Sequence, residues 1–429
     1  MNWVDIYKKR LTTAERAIQA VKSGQRIVIG HACGEPQVLV DELTAQAERL
    51  ENVEIVHMVA MGRAKYCQPG MEKHFRHNAL FVGGSTRKAI NEGRAEYTPC
   101  FFHEVPRLIR EGYLPVDVAL IQVSIPDRQG YCSLGVSVDY TKTAALEAKT
   151  VIAQVNEKMP RTLGDSHLHV SQIDYLVEAS VPLIQLPPAK LSEVEEKIGY
   201  YAAQLVEDEA TLQLGIGAIP DAVLYFLKDK KKLGIHSEMF SDGVVDLIER
   251  GVITNSAKTL HQGKAVATFL MGTDRLYDFV HDNPMVEMYS VDYTNNPYVI
   301  ARNSKMISIN SALQIDLTGQ VCADTIGYKQ YSGVGGQVDF VRGTNLSPGG
   351  KSIIALPSTA MGGKLSRIVS SLDEGAAVTT SRNEVHFMVT EYGYAELRGK
   401  STRKRAEALI AIAHPIFRER LTQEYNRNY

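Results

Sequence analysis

The feature that most constrains this chain is a repeated order: a short β-branched run, a glycine-bearing loop, then a helix-length amphipathic stretch. Arg26-Ile-Val-Ile29, Val53-Glu-Ile-Val-His57 and Val116-Asp-Val-Ala-Leu-Ile-Gln-Val123 are four to eight residues long, and stretches such as Pro36 to Leu50 separate them. Alternation of this kind predicts an α/β fold built on mainly parallel sheets covered on both faces. Thr12 with Glu15, and Ser192 with Glu195, fit the S/T-x-x-E capping box and mark two helix starts. Three prolines in seven residues within Val181-Pro-Leu-Ile-Gln-Leu-Pro-Pro-Ala189 exclude a helix interior or a central strand. A domain boundary is therefore expected near residue 190, giving domains 1–190 and 191–429. The halves also begin alike. Arg26–Gly30 leads through a loop to Pro36 and a helix, and Thr211–Gly215 leads through a shorter loop to Pro220 and a helix, which suggests two related open α/β domains.

Composition narrows the function classes. A chain of 429 residues is long enough for two to four domains, and 44% hydrophobic with 22% charged residues is ordinary globular usage. With 47 basic and 49 acidic side chains the formal charge is −2, which leaves no global field to hold a polyanion and argues against nucleic acid as a main partner. No apolar run approaches the ~20 residues a membrane span needs. The N-terminal stretch carries Asp5, Lys8, Lys9 and Arg10 without an apolar signal region. Cys33, Cys67, Cys100, Cys132 and Cys322 are odd in number and contain no C-x-x-C, so reduced thiols in a cytoplasmic setting are expected, and no structural zinc.

Gly215-Ile-Gly-Ala-Ile-Pro220 follows an expected strand and opens a helix expected from Asp221 to about Leu227. Glycines at 215 and 217 let the backbone approach a ligand, and a helix N-terminus offers free N–H groups to a phosphate or an amide-bearing chain. A tight turn with no ligand has the same signature. A dinucleotide turn would need a third glycine where Pro220 stands, although Glu238 lies 23 residues after Gly215. Glu238 itself ends the short strand Leu233–His236, where open α/β sheets bind ligands. A carboxylate there can act as a nucleophile without a general base; an exposed glutamate paired with a cation is the alternative. Two further glycine-rich segments, Tyr331-Ser-Gly-Val-Gly-Gly-Gln-Val-Asp-Phe340 and Pro357-Ser-Thr-Ala-Met-Gly-Gly-Lys-Leu-Ser366, could supply backbone donors or simple turns. Gly349-Gly-Lys-Ser352 lacks the P-loop glycine at Asn345, and no G-x-S-x-G is present. His167 and His169 have no third metal ligand beside them in sequence.

Taken together, Gly215–Pro220, Gly234-Ile-His-Ser-Glu-Met239, Ser332–Phe340 and Thr390-Glu-Tyr-Gly-Tyr-Ala-Glu-Leu-Arg-Gly399 resemble the acetyl-CoA hydrolase/transferase family, and within it the branch of 4-hydroxybutyrate and butyryl-CoA:acetate CoA-transferases. The resemblance extends to Phe101–Pro106 and Gly164–Val170 in the first half. It implies two α/β domains with the site in the cleft between them, and Glu238 as a nucleophile that becomes a glutamyl-CoA thioester. It further implies that Gly215, Ile216, Gly217, Ala218 and Ile219 bind CoA, with Leu313 and Met361 along the CoA path. Gly335 and Gly336 would lie at the thioester and Asn295 near the acyl carbonyl. The implied activity is ping-pong CoA transfer between a short-chain acyl-CoA and a carboxylate such as acetate, in a homodimer or larger homo-oligomer. CoA would be a substrate and transient adduct, with no metal or tightly bound cofactor. Acyl-CoA hydrolysis at the same glutamate, a nicotinamide oxidoreductase and a non-catalytic CoA sensor are the competing readings.

Overall fold

The structure, a computed structural model, describes residues 2–428 and divides into two compact units. One contains the chain up to Leu186 together with Val266–Thr294; the other contains Pro187–Ala265 and the chain from Asn295 onward.

The first unit is built on a parallel sheet in the order Tyr175–Glu178, Thr150–Val155, Val118–Val123, Arg26–Ile29, Val53–His57, Phe75–Ala79, Glu96–Tyr97. Ile27 stands between Val118 and Ile55 on one face, and Val28 between Ala119 and Val56 on the other, so the central strands are apolar on both faces and need cover from helices. Gln37–Ala45 supplies part of that cover, with Leu39 and Leu43 packed against Ile27, Ile55, Val118 and Ile152. Each such buried aliphatic side chain contributes ~1.5–3 kcal/mol. The segment 266–294 belongs here because Val286–Met288 pairs in parallel with Leu163–Gly164, and Arg161 and Arg110 bridge Asp282 and Asp292 at 2.6 and 2.7 Å.

The second unit repeats the plan. Gly234–Ile235, Thr211–Leu214, Met306–Ser311, Lys351–Ala355 and Phe387–Thr390 lie side by side in parallel, and the antiparallel strand Gly393–Glu396 closes that edge. Met239–Phe240 turns back to pair Met239 with Leu214. On one face Ile354 and Met388 pack with Leu409 and Leu421 of the helices Thr402–Ala411 and Pro415–Asn428.

Two helix starts differ from expectation. Thr13, not Thr12, caps the helix Ala14–Ile18, its Oγ1 accepting from Arg16 N–H at 3.3 Å, while the Thr12 N–H donates to the Leu176 carbonyl. The Ser192–Glu195 box is present as expected. The helix after the Gly215 turn spans Ala218–Phe226 and so begins before Asp221. Pro220 sits within its first turn, where a missing N–H loses no intrahelical bond.

Candidate active site

In the second unit the parallel strands end at one edge of the sheet, and the segments that follow them carry the residues singled out in the sequence. Gly215–Ile219 follows Thr211–Leu214, Glu238 follows Gly234–Ile235, Leu313 follows Met306–Ser311, and Met361 follows Lys351–Ala355. Carboxyl ends of parallel strands are where open α/β sheets take ligands.

Glu238 is half-buried and is held by the residues on either side of it. Ser237 Oγ accepts from Leu214 N–H at 3.3 Å, His236 N–H donates to the Leu212 carbonyl at 3.1 Å, and Met239 pairs with Leu214. The nucleophile candidate is therefore stitched to the strand that runs straight into the Gly215 loop. Further back, Ile235 is held at both backbone atoms by one loop: its N–H donates to Asn255 Oδ1 at 2.9 Å, and its carbonyl accepts from Lys258 Nζ at 2.7 Å. Lys258 is 3% exposed and also donates to the Lys264 carbonyl at 2.6 Å.

The carboxylate has company from two distant stretches of chain. Asn295 Nδ2 donates to Glu238 Oε2 at 2.7 Å. Gly336 lies so close that a Cβ there would stand 1.9 Å from Glu238 Oε2 and 2.4 Å from Asn295 Nδ2. Gly336 caps the ten-residue helix Gln337–Leu346, whose N-terminal partial positive charge favours an anion at that end. Gly335 before it has φ +54°, a left-handed conformation that glycine enters without steric penalty. What keeps Asn295 and Gly336 together is a close helix contact: a Cβ on Gly343 would lie 2.5 Å from Ile300 Cβ, so Gln337–Leu346 packs directly on Pro297–Ile300.

The Gly215 loop is open. Gly217 has φ +106° with nothing within 4 Å of its Cβ position, and Ile216 beside it is exposed. Leu313 is half-buried, its N–H bonded to the Cys322 carbonyl at 2.9 Å. Met361 is 73% exposed, at the turn of the hairpin Thr359–Ala360 with Leu365–Ser366. Leu313 and Met361 thus share the sheet edge with Glu238 and take no part in the hydrogen bonding that joins Glu238 to Asn295.

Burial pushes the Cys33 thiol up to about 11 and the Cys132 thiol up to about 12, so neither is a ready nucleophile. Among the described residues no group of three or more His, Cys, Asp or Glu could hold a metal, and no helix is long and apolar enough to cross a membrane. Sequence reading missed Asn255, Lys258 and Gly343, whose roles exist only through tertiary contact. It also missed Glu35 of the first unit, buried with its Oε2 accepting from Gly62 N–H at 2.9 Å. Burial pushes its carboxyl up to about 7, against the pull of the Gly62 and Met61 N–H groups.

Known proteins share this architecture. The model of the acetyl-CoA hydrolase/transferase N-terminal domain matches residues 1–185, and that of the C-terminal domain matches residues 272–425. The chain is 65% identical over 429 residues to 4-hydroxybutyrate coenzyme A transferase of Clostridium kluyveri, covering 100% of both proteins. It is 46% identical to succinyl-CoA:cyclohexane-1-carboxylate CoA transferase of Geobacter metallireducens, covering 98% of this chain and 96% of that one. Among solved structures, 4-hydroxybutyrate CoA-transferase from Porphyromonas gingivalis matches with a TM-score of 0.87 and 44% identity, covering 100% of each chain. This chain belongs to the acetyl-CoA hydrolase/transferase family.

Proposed function

We propose that the protein is a CoA-transferase that moves CoA between a short-chain acyl-CoA, 4-hydroxybutyryl-CoA or butyryl-CoA, and a carboxylate such as acetate, through a thioester on Glu238. The observation that carries this reading is the setting of the Glu238 carboxylate: 2.7 Å from Asn295 Nδ2, against Gly336 at a helix N-terminus, and one strand pairing from the glycine loop. Relatives at 65% and 46% identity are both transferases by name, which favours a carboxylate over water as the acceptor.

Ionised Glu238 attacks the thioester carbonyl, the C–S bond breaks, and CoA leaves as the thiolate from a mixed anhydride. The thiolate attacks the glutamyl carbonyl and expels the first acid as its carboxylate, leaving Glu238 as a CoA thioester. A second carboxylate reverses these steps and departs as the new acyl-CoA, with Glu238 restored. No proton is gained or lost over the cycle, so no general base is required. Each tetrahedral oxyanion needs fixed donors, which we assign to the Gly335 and Gly336 amides and to Asn295. One such donor is worth ~3 kcal/mol in the transition state. Gly215, Ile216, Gly217, Ala218 and Ile219 would hold the CoA chain, because a left-handed glycine with open space before it admits a ligand against the backbone. Leu313 and Met361 would give apolar contacts along its path. CoA is then substrate and transient adduct rather than a resident cofactor. We place the enzyme in the cytoplasm, as a homodimer or larger homo-oligomer; its five free thiols suit a reducing compartment.

Initial rates with acyl-CoA and carboxylate both varied should give the parallel double-reciprocal lines of a ping-pong cycle. Glu238→Ala should abolish transfer while calorimetric CoA binding survives. Transfer retained by a folded Glu238→Ala protein would remove the assignment.

A further inference from the structure

The residue next to Gly336 carries a side-chain amide whose nitrogen has no partner among the described residues. Gln337, the first residue of the helix Gln337–Leu346, is 9% exposed, and its Nε2 is buried without a hydrogen-bond partner among the described residues. Oδ1 of Asn295, which is fully buried, is likewise unpartnered among them. Asn295 meets Glu238 through its 2.7 Å bond, and Gln337 directly follows Gly336, where a Cβ would lie 1.9 Å from Glu238 Oε2. Consecutive α-carbons are ~3.8 Å apart, so a glutamine rooted at 337 is long enough to reach a group bound against that carboxylate. A buried N–H without an acceptor destabilises the fold, and sites shaped for a ligand are where such groups are retained. Asn295 Nδ2, a side-chain donor at the site, is already engaged with Glu238 itself.

The acceptor acid poses a problem that these engaged groups do not solve. Its carboxylate must be stripped of water and held beside a carbonyl for attack, and an anion out of water needs a hydrogen-bond donor of its own. We infer that Gln337 is that donor: its side-chain amide receives the carboxylate of the acceptor acid and aligns it for attack on the glutamyl-CoA carbonyl. The inference rests on Glu238 being the residue that carries CoA. In the step itself one carboxylate oxygen bonds to the glutamyl carbon, the C–S bond breaks, and CoA leaves as the thiolate. The other oxygen accepts from Gln337 Nε2, which keeps its proton throughout. Water attacking the same carbonyl carries no second anionic oxygen and does not use this donor.

The test is how the loaded enzyme partitions between acetate and water. Wild type and Gln337→Met, a change of similar shape without the amide, are loaded with butyryl-CoA and freed of excess. Loss of the CoA adduct is then followed by intact mass in buffer alone and with acetate. Gln337→Met should melt at the wild-type temperature or higher, because the unpartnered donor is gone. It should shed CoA to water at the wild-type rate, yet respond to acetate at least tenfold more slowly and with a raised KM for acetate. Gln337→Glu, which keeps the shape and sets a carboxylate in the donor's place, should be slower still, and it carries the test if the Met variant does not fold. Acetate discharge within twofold of wild type in a folded variant would overturn the inference. So would faster loss of CoA in both buffers, which marks a loosened site. If wild type itself forms no adduct, it is the Glu238 reading that fails, and that result needs no variant to see.

Discussion

At position 336 the chain has no room for a single extra carbon. A methyl group there would overlap Glu238 Oε2 at 1.9 Å and Asn295 Nδ2 at 2.4 Å, so Gly336→Ala must displace the proposed nucleophile, its partner, or both. The expected result is a folded protein whose kcat falls by at least about 100-fold, the scale of losing one fixed oxyanion donor; near-normal turnover would place the chemistry elsewhere. Asn295→Ala removes the donor at 2.7 Å and should cost a similar factor in kcat with little change in the KM for acyl-CoA. A different residue-scale effect belongs to Glu35. Its carboxyl is raised by burial to about 7 from an ordinary value of 4.5, so the folded protein keeps the proton over a range where the unfolded chain has released it. Stability from this group is therefore full below about pH 4.5 and declines as pH rises towards 7, by roughly 3 kcal/mol in all. Urea unfolding of wild type and Glu35→Gln between pH 4.5 and 8 should show the variant lacking this decline. Parallel curves would mean that Glu35 ionises normally.

Among the elements, the decisive contacts are close approaches that composition does not announce. Gly343 lets the helix Gln337–Leu346 touch Pro297–Ile300, and through that contact Asn295 and Gly336, far apart in the chain, meet at one carboxylate. Gly343→Ala would set a Cβ 2.5 Å from Ile300 Cβ. Overpacking of this kind typically costs about 1–3 kcal/mol, and here it should also lower kcat by separating the donor from Glu238. A variant destabilised by that amount but fully active would show that the helix contact does not position the site. Lys258 acts on the strand side, tying the Ile235 and Lys264 carbonyls together just before the strand delivers Glu238. Those two acceptors help to sustain its burial, since a buried ammonium without partners is costly. The Ser192 box was legible because its hydroxyl and Glu195 are local, whereas Thr12 lies outside the helix it was expected to start, its N–H bonded to Leu176, far away in sequence.

For the whole molecule, the alternation of strands, glycine loops and helices made the α/β plan readable, because the hydrophobic pattern of a parallel sheet is a local property repeated along the chain. Glu238 and the Gly215 loop were readable for the same reason: each follows a recognisable strand. The grouping of residues 266–294 with the first unit was not, since it depends on pairing between Val286–Met288 and Leu163–Gly164. The pairing of Asn295 with Glu238 had no local signal either; the family resemblance implied only that Asn295 lies near the acyl carbonyl. What joins fold to activity in the proposed cycle is a covalent step, the passage of CoA through Glu238. Peptide mass spectrometry after mixing the protein with butyryl-CoA in the absence of an acceptor reads that step itself. The expected result is a CoA-sized adduct on the peptide containing Glu238, discharged by acetate or 4-hydroxybutyrate. Steady release of CoA with no adduct, or an adduct on another residue, would contradict it.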